Sequence, residues 1–88
     1  MEFEYNSDKS MLNQRKHGLS FEEVVKLWEM PGVEIEAKTV NEARRMLIAP
    51  YKGKLYSCIF TIRREKIRLV SARRSHSREE KIYHEKIS

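Results

Sequence analysis

The feature that most constrains the fold is a change of hydrophobic period at Met30-Pro31-Gly32. Upstream, Phe21, Val24, Val25 and Trp28 recur at i, i+3, i+4 and i+7, the apolar stripe of an amphipathic helix. Proline and glycine end that helix. Downstream, Val33, Ile35 and Ala37 alternate with Glu34, Glu36 and Lys38, the pattern of a strand with one dry and one wet face. Further strand patterns follow at residues 45–49, closed by Pro50 and the Lys52-Gly53 turn, at 55–62 and at 67–72, the last two joined by the glycine-free turn Arg63-Arg64-Glu65-Lys66. Strands joined by short turns pair antiparallel. The expectation is an α+β domain: two N-terminal helices, a four-stranded antiparallel sheet and a C-terminal helix. Before the first helix, Phe3-Glu4-Tyr5 suits a short extended segment or edge strand.

Helix punctuation explains much of the N-terminal third. Asn6, Ser7 and Asp8 are N-cap candidates for a first helix running to His17. Lys9, Asn13, Lys16 and His17 fall near one side of it, with Met11 and Leu12 pointing elsewhere. Gly18 suits the left-handed position that closes a helix, and Arg15, Lys16 and His17 sit where the helix dipole favours cations. Ser20 and Glu23 form a capping box for the second helix, with Leu19 and Val24 as its hydrophobic staple. The same pattern recurs at Ser77-Arg78-Glu79-Glu80, opening a last helix with Glu79, Tyr83 and Ile87 aligned at i+4 steps.

At 88 residues the chain is sized for one domain, residues 1–88. No apolar run approaches the roughly 20 residues that span a bilayer. The acidic start MEFEYNSDK lacks the n- and h-regions of a secretory signal, and the single Cys58, within the mostly apolar stretch LYSCIFTI, reads as a structural thiol; both fit a cytoplasmic protein. The formal charge is +5, concentrated in residues 63–78: Arg63, Arg64, Lys66, Arg68, Arg73, Arg74 and Arg78 face one acid, Glu65. Six of these seven cations are arginines, whose planar fork suits phosphate. Two readings stand: an anionic partner, either nucleic acid or an acidic protein segment, or a solvated charged hairpin that serves only solubility.

No glycine-rich phosphate loop, nucleophile elbow, paired-cysteine motif or HExxH is present, and His17, His76 and His84 are too scattered to suggest a metal site. If the chain is an enzyme, the expectation is chemistry without metal or cofactor. In VSARRSHSREEKIYHE, arginines at a strand end meet a helix start, with Glu79, Tyr83, His76 and His84 as proton-moving types nearby. Metal-free RNA cleavage needs such a set: a base for the 2′-OH, positive groups around the phosphorane, and an acid for the leaving oxygen; Glu79 and Tyr83 read equally as a first-turn carboxylate and a core-edge aromatic. Parity limits it, because Arg68 and Arg73 are an odd number of residues apart. A straight strand sends them to opposite faces, and they converge only if it bends or ends first.

The chain resembles the BrnT toxins of bacterial type II toxin-antitoxin systems over nearly its whole length. The likeness rests on Phe3-Glu4-Tyr5-Asn6 where the family has F-E-W-D, on Lys9 and Asn13, and on Lys16-His17-Gly18-Leu19-Ser20-Phe21-Glu22-Glu23 against K-H-G-V/I-S/D-F-E-E. It continues through Ile67-Arg68-Leu69-Val70-Ser71-Ala72-Arg73-Arg74 against R-I/L-I/V-S-A-R-x, and Glu79 and Tyr83 at E-x-x-x-Y spacing. Departures are Tyr5-Asn6 for Trp-Asp, His76 for a common threonine, and Glu80 for a common arginine.

The resemblance implies a RelE-like microbial ribonuclease fold and a metal-independent endoribonuclease that halts translation. It also implies a BrnA-like antitoxin in a complex of two toxins and two antitoxins, which contacts operator DNA through the antitoxin. On that reading Arg68 and Arg73 stabilise the scissile phosphate, His17 or Glu79 transfers protons, and Tyr83 orients them. Lys16, Arg63, Arg64, Lys66, Arg74 and Arg78 hold the RNA backbone. His17 reads equally as a dipole-compensating cap, and Arg68 equally as a partner of Glu34 or Glu36 across the sheet. Two other functions compete: a helix-turn-helix DNA binder built on residues 7–17 and 20–29, and a non-catalytic basic module that only holds an acidic partner.

Overall fold

A computed structural model describes residues 2–37 and 42–87. Lys38, at the end of one strand pattern, and Asn41, which opens the polar stretch 41–44 that the sequence reads as a turn, lie outside them. The elements run β1 (Phe3–Glu4), α1 (Ser7–His17), α2 (Phe21–Val24) passing directly into a 3₁₀ turn (Val25–Glu29), β2 (Val33–Ala37), β3 (Arg44–Tyr51), β4 (Lys54–Arg63), β5 (Lys66–Arg74) and α3 (Ser77–Ile87).

The domain is α+β as expected, but the sheet is five-stranded and mixed, in the order β1-β5-β4-β3-β2. The four-strand expectation did not count the edge-strand candidate at Phe3-Glu4-Tyr5 into the sheet. The two residues of β1 pair in parallel with β5, Phe3 beside Ile67 and Glu4 beside Arg68, and the Ile67 N–H donates to the Glu2 carbonyl at 2.8 Å. The edge-strand reading of Phe3-Glu4-Tyr5 holds for Phe3 and Glu4, though so short an alternation names no partner strand; Phe3 stacks edge-on against Trp28 at 5.0 Å. Strand β3 also runs through Pro50, the expected stop. Pro50 pairs with Leu55 on β4, and because β2 reaches only to Ile48, no ladder on the other side needs the missing N–H.

The caps form as the residue types dictate. The Asn6 side chain accepts from the N–H groups of Asp8 and Lys9, and Gly18 closes α1 with φ of 82°. The Ser20 hydroxyl accepts from the Glu23 N–H. At α3 the box is shifted by one residue: the helix begins at Ser77, so Glu79 occupies the third turn position and its carboxylate accepts the His76 N–H at 2.9 Å. Ser77 and Glu80 do not form the pair.

The second helix buries Phe21, Val24 and Leu27, whereas Val25 and Trp28 are only half-buried. The cause is the change to 3₁₀ geometry after Val24. Three residues per turn carry the buried face to every third position. With its stripe in the core and only one α-helical turn, this element offers no recognition helix for a DNA groove.

The sheet separates two cores. On one side α2 and the 3₁₀ turn pack Leu19, Phe21, Val24 and Leu27 against Cys58, Phe60, Ile67, Leu69 and Ala72. On the other, Tyr83 and Ile82 of α3 cover Val33, Met46 and Ile48. The expected α3 stripe runs out at Ile87, which is exposed.

Helix α1 docks differently. It buries Ser10 and Asn13 and leaves Met11 and Leu12 exposed. The Ser10 hydroxyl accepts the Phe21 N–H at 2.8 Å. The Asn13 amide donates to the carbonyls of Leu19 (2.8 Å) and Ala72 (3.0 Å), and its oxygen accepts the Ala72 N–H at 3.0 Å. Strand β1 pairs β5 only at its start, so Ala72 lies on a free edge; Asn13 stands in for one residue of the missing strand.

Candidate nucleic-acid interface

The parity problem is resolved by a bulge in β5. Partners run Thr61 to Arg68, then Ile59 to Ser71 and Ser57 to Arg73, with the register slipping between Ile59 and Phe60 so that Val70 is the extra residue. Ser57, Ile59 and Thr61 alternate along β4 and share a face, so Arg68, Ser71 and Arg73 share it too. This is the face α3 covers at its β2–β3 end, through Met46, Ile48 and Tyr83.

At one end of this row Arg73 meets Glu79. The guanidinium donates from Nη1 to Oε1 at 2.8 Å and from Nη2 to Oε2 at 2.9 Å, and Nη1 also reaches the Arg74 carbonyl at 3.2 Å. Oε1 accepts the buried Ser57 hydroxyl at 2.8 Å as well as the His76 N–H. Ser57 has a single proton, given to Glu79, so the 2.8 Å contact between the two serine hydroxyls has Ser75 as donor. Hydrogen bonds from Arg73 above all, and then from His76 and Ser57, hold the Glu79 carboxyl down at about 2 against the opposing effect of burial. The same pairing raises Arg73 above its ordinary value.

At the other end, Arg63, Arg64, Lys66 and Arg68 converge with Glu4 around an open cavity of about 560 Å³. Arg68 is 3.5 Å from Glu4, and Lys66 is 3.7 Å from Glu2. Glu34 pairs instead with Arg45 at 3.0 Å, because β2 lies at the opposite edge of the sheet from β5; the strand-2 glutamates are not partners of Arg68. The turn carrying these cations holds Arg64 and Glu65 at φ of 49° and 66°, the left-handed pair of a type I′ hairpin without the usual asparagine and glycine.

Between the two ends, the docking of α1 by Asn13 brings Lys9, Lys16 and His17 to a groove of about 210 Å³ shared with Leu12, Val70 and Ser71. Cations thus follow β5 from the hairpin end, whose edge β1 covers, past the groove on its unpaired part to Arg73.

Other expected site residues are not part of this row. Tyr83 is buried, its hydroxyl donating to the Pro31 carbonyl at 2.7 Å, so its i+4 spacing from Glu79 serves the docking of α3. Arg74 is a partner of Tyr56 and lies on the opposite face from Arg73. Arg78 lines a hollow with Glu36, Met46 and Ile82 that Glu79 also borders. Among the described residues, no group of three or more His, Cys, Asp or Glu is placed to hold a metal ion, and no helix is long and apolar enough to cross a membrane. Ser57 and Ser75 were not foreseen; the only hint was a serine inside the otherwise apolar Leu55–Phe60 run.

A small α+β domain whose sheet carries arginines on one face, flanked by lysines and a histidine, presents the kind of cationic surface that attracts a phosphate backbone. Residues 5–79 match the family model for the ribonuclease toxin, BrnT, of type II toxin-antitoxin systems, and the chain belongs to that family. RNA as substrate and an antitoxin as partner follow from membership. No individually curated protein matches the chain.

Proposed function

We propose that this toxin is an endoribonuclease that cleaves RNA without a metal ion and so stops translation. The observation that carries the reading is the bulge at Val70, which gathers Arg68, Ser71 and Arg73 on one face beside the groove holding Lys16 and His17. In the reaction the 2′-OH loses its proton to a base, its oxygen bonds to the adjacent phosphorus, and the bond from phosphorus to the 5′-oxygen breaks as that oxygen is protonated. Arg68 and Arg73 balance the charge that builds on the phosphorane. His17 transfers the proton, because imidazole both takes and gives a proton near neutrality. A carboxyl held at about 2 and already accepting four hydrogen bonds is a feeble base, so Glu79 does not take this role. Lys9, Lys16, Arg63, Arg64 and Lys66 hold neighbouring phosphates.

A BrnA-like antitoxin neutralises the toxin in a complex of two copies of each, and operator DNA is contacted through the antitoxin. The test incubates the purified chain with defined RNA in excess chelator, beside Arg68→Ala and His17→Asn prepared identically. Cleavage by the native chain, with a loss of roughly 100-fold in either variant, is the expected result. Equal cleavage in His17→Asn removes His17 from the mechanism. No cleavage by any preparation, with antitoxin binding retained, favours a module that only holds its partner.

A further inference from the structure

We infer that Glu79 and Ser57 are positioning residues that hold Arg73 as a pre-aimed phosphate fork. The inference rests on Arg73 being a phosphate ligand, as proposed above. An arginine has five N–H donors in one plane. The end-on pair, one proton from each Nη, is spent on the two oxygens of Glu79, and the outer proton of Nη1 goes to the Arg74 carbonyl. What remains is Nε–H and the Nη2 proton beside it, neither with a partner among the described residues. These two lie parallel on one edge of the guanidinium, the geometry that takes two oxygens of a phosphate. The side chain of Arg73 is 28% exposed and that of Glu79 11%, and the unpartnered Arg73 Nε is not a buried atom, so the unspent edge is within reach of a ligand.

Glu79 is itself fixed from behind. Ser57, at 1% exposure, donates to Oε1, Ser75 donates to Ser57, and the His76 N–H completes the set. The carboxylate therefore has one position, and through two parallel hydrogen bonds it gives the guanidinium one orientation. The cost is charge, since Glu79 neutralises much of the attraction Arg73 has for an anion. An arrangement selected for ground-state affinity would leave the arginine unpaired; this one gives up affinity for orientation, which acts on the chemical step.

Glu79→Gln keeps the shape and removes the charge. The expected result is a kcat lowered roughly 10- to 100-fold, with KM unchanged or lower and every limb of the pH–rate profile preserved. Ser57→Ala is expected to move kcat in the same direction by less. If kcat in Glu79→Gln stays within about twofold of native, or the profile loses an ionisation, the positioning role is overturned. A readout independent of turnover is the ¹⁵Nε–H resonance of Arg73, assigned by its loss in Arg73→Lys. A short RNA with 2′-O-methyl groups, which cannot be cleaved, is expected to shift it saturably in the native protein. In Glu79→Gln the resonance is expected to broaden through exchange with water. A native chain that does not cut RNA but shows the shift keeps the fork and loses the catalytic reading. A chain that cuts RNA while the resonance stays still loses the fork alone.

Discussion

Replacing Asn13 by alanine tests whether one side chain holds α1 to the sheet. It removes three hydrogen bonds of 2.8 to 3.0 Å and leaves the Leu19 carbonyl and both backbone groups of Ala72 without them, in residues that are 3% and 0% exposed. A buried backbone group stripped of its partner costs about 1–3 kcal/mol, and water entering the gap recovers part of that. Alanine returns about 0.6 kcal/mol as a better helix former. The net expectation is a loss of about 3–4 kcal/mol. Against a total stability of about 4–13 kcal/mol for a chain of this length, that is a large fraction. Urea unfolding followed by Trp28, which packs between the rings of Phe3 and Phe60, measures it. Amide exchange at Ala72 reports the same edge directly. A loss under about 1 kcal/mol with unchanged protection at Ala72 refutes the claim that Asn13 replaces a strand.

Three further outcomes are expected. Arg64→Asn with Glu65→Gly relieves the two left-handed residues of the hairpin and stabilises by about 1–2 kcal/mol in urea melts, while the salt dependence of RNA binding falls by about one phosphate contact; an unchanged melt shows that the turn carries no strain. For pH, the folded Glu79 carboxyl at about 2 lies below its ordinary value of 4.5, so its contribution is present above the unfolded value and is lost as pH falls through about 2. Urea midpoints taken from pH 5 down to 2 are therefore expected to fall more steeply in the native chain than in Glu79→Gln, and parallel curves contradict the assignment. Burial pushes the Cys58 thiol up, and iodoacetamide at neutral pH is expected to label it only on unfolding; rapid labelling of the folded chain contradicts its burial.

Local chemistry was legible in the sequence. Asn6, Gly18 and Ser20 mark helix ends because capping depends on residues within three or four positions of one another. Strands β2 to β5 were legible because period-2 alternation and turn residues are also local. What failed required a partner distant in the chain. Phe3-Glu4-Tyr5 was legible as an edge-strand candidate but its parallel pairing with β5 was not, and the 3₁₀ geometry after Val24 moved the buried face from Val25 and Trp28 to Leu27.

For the site, the sequence by itself determined its materials: a dense run of arginines over residues 63–78, the K-H-G signature at Lys16-His17-Gly18, and the match that places the chain in its family. Their arrangement was decided by tertiary structure alone. The bulge at Val70 is a slip in pairing between two strands, and without it Arg68 and Arg73 face opposite ways. The pairing of Arg73 with Glu79 depends on α3 returning over Ser57, and the placing of His17 beside Ser71 depends on Asn13 reaching an edge 59 residues away. Periodicity records which way a side chain points along its own element; which side chains then meet is a property of the packed fold.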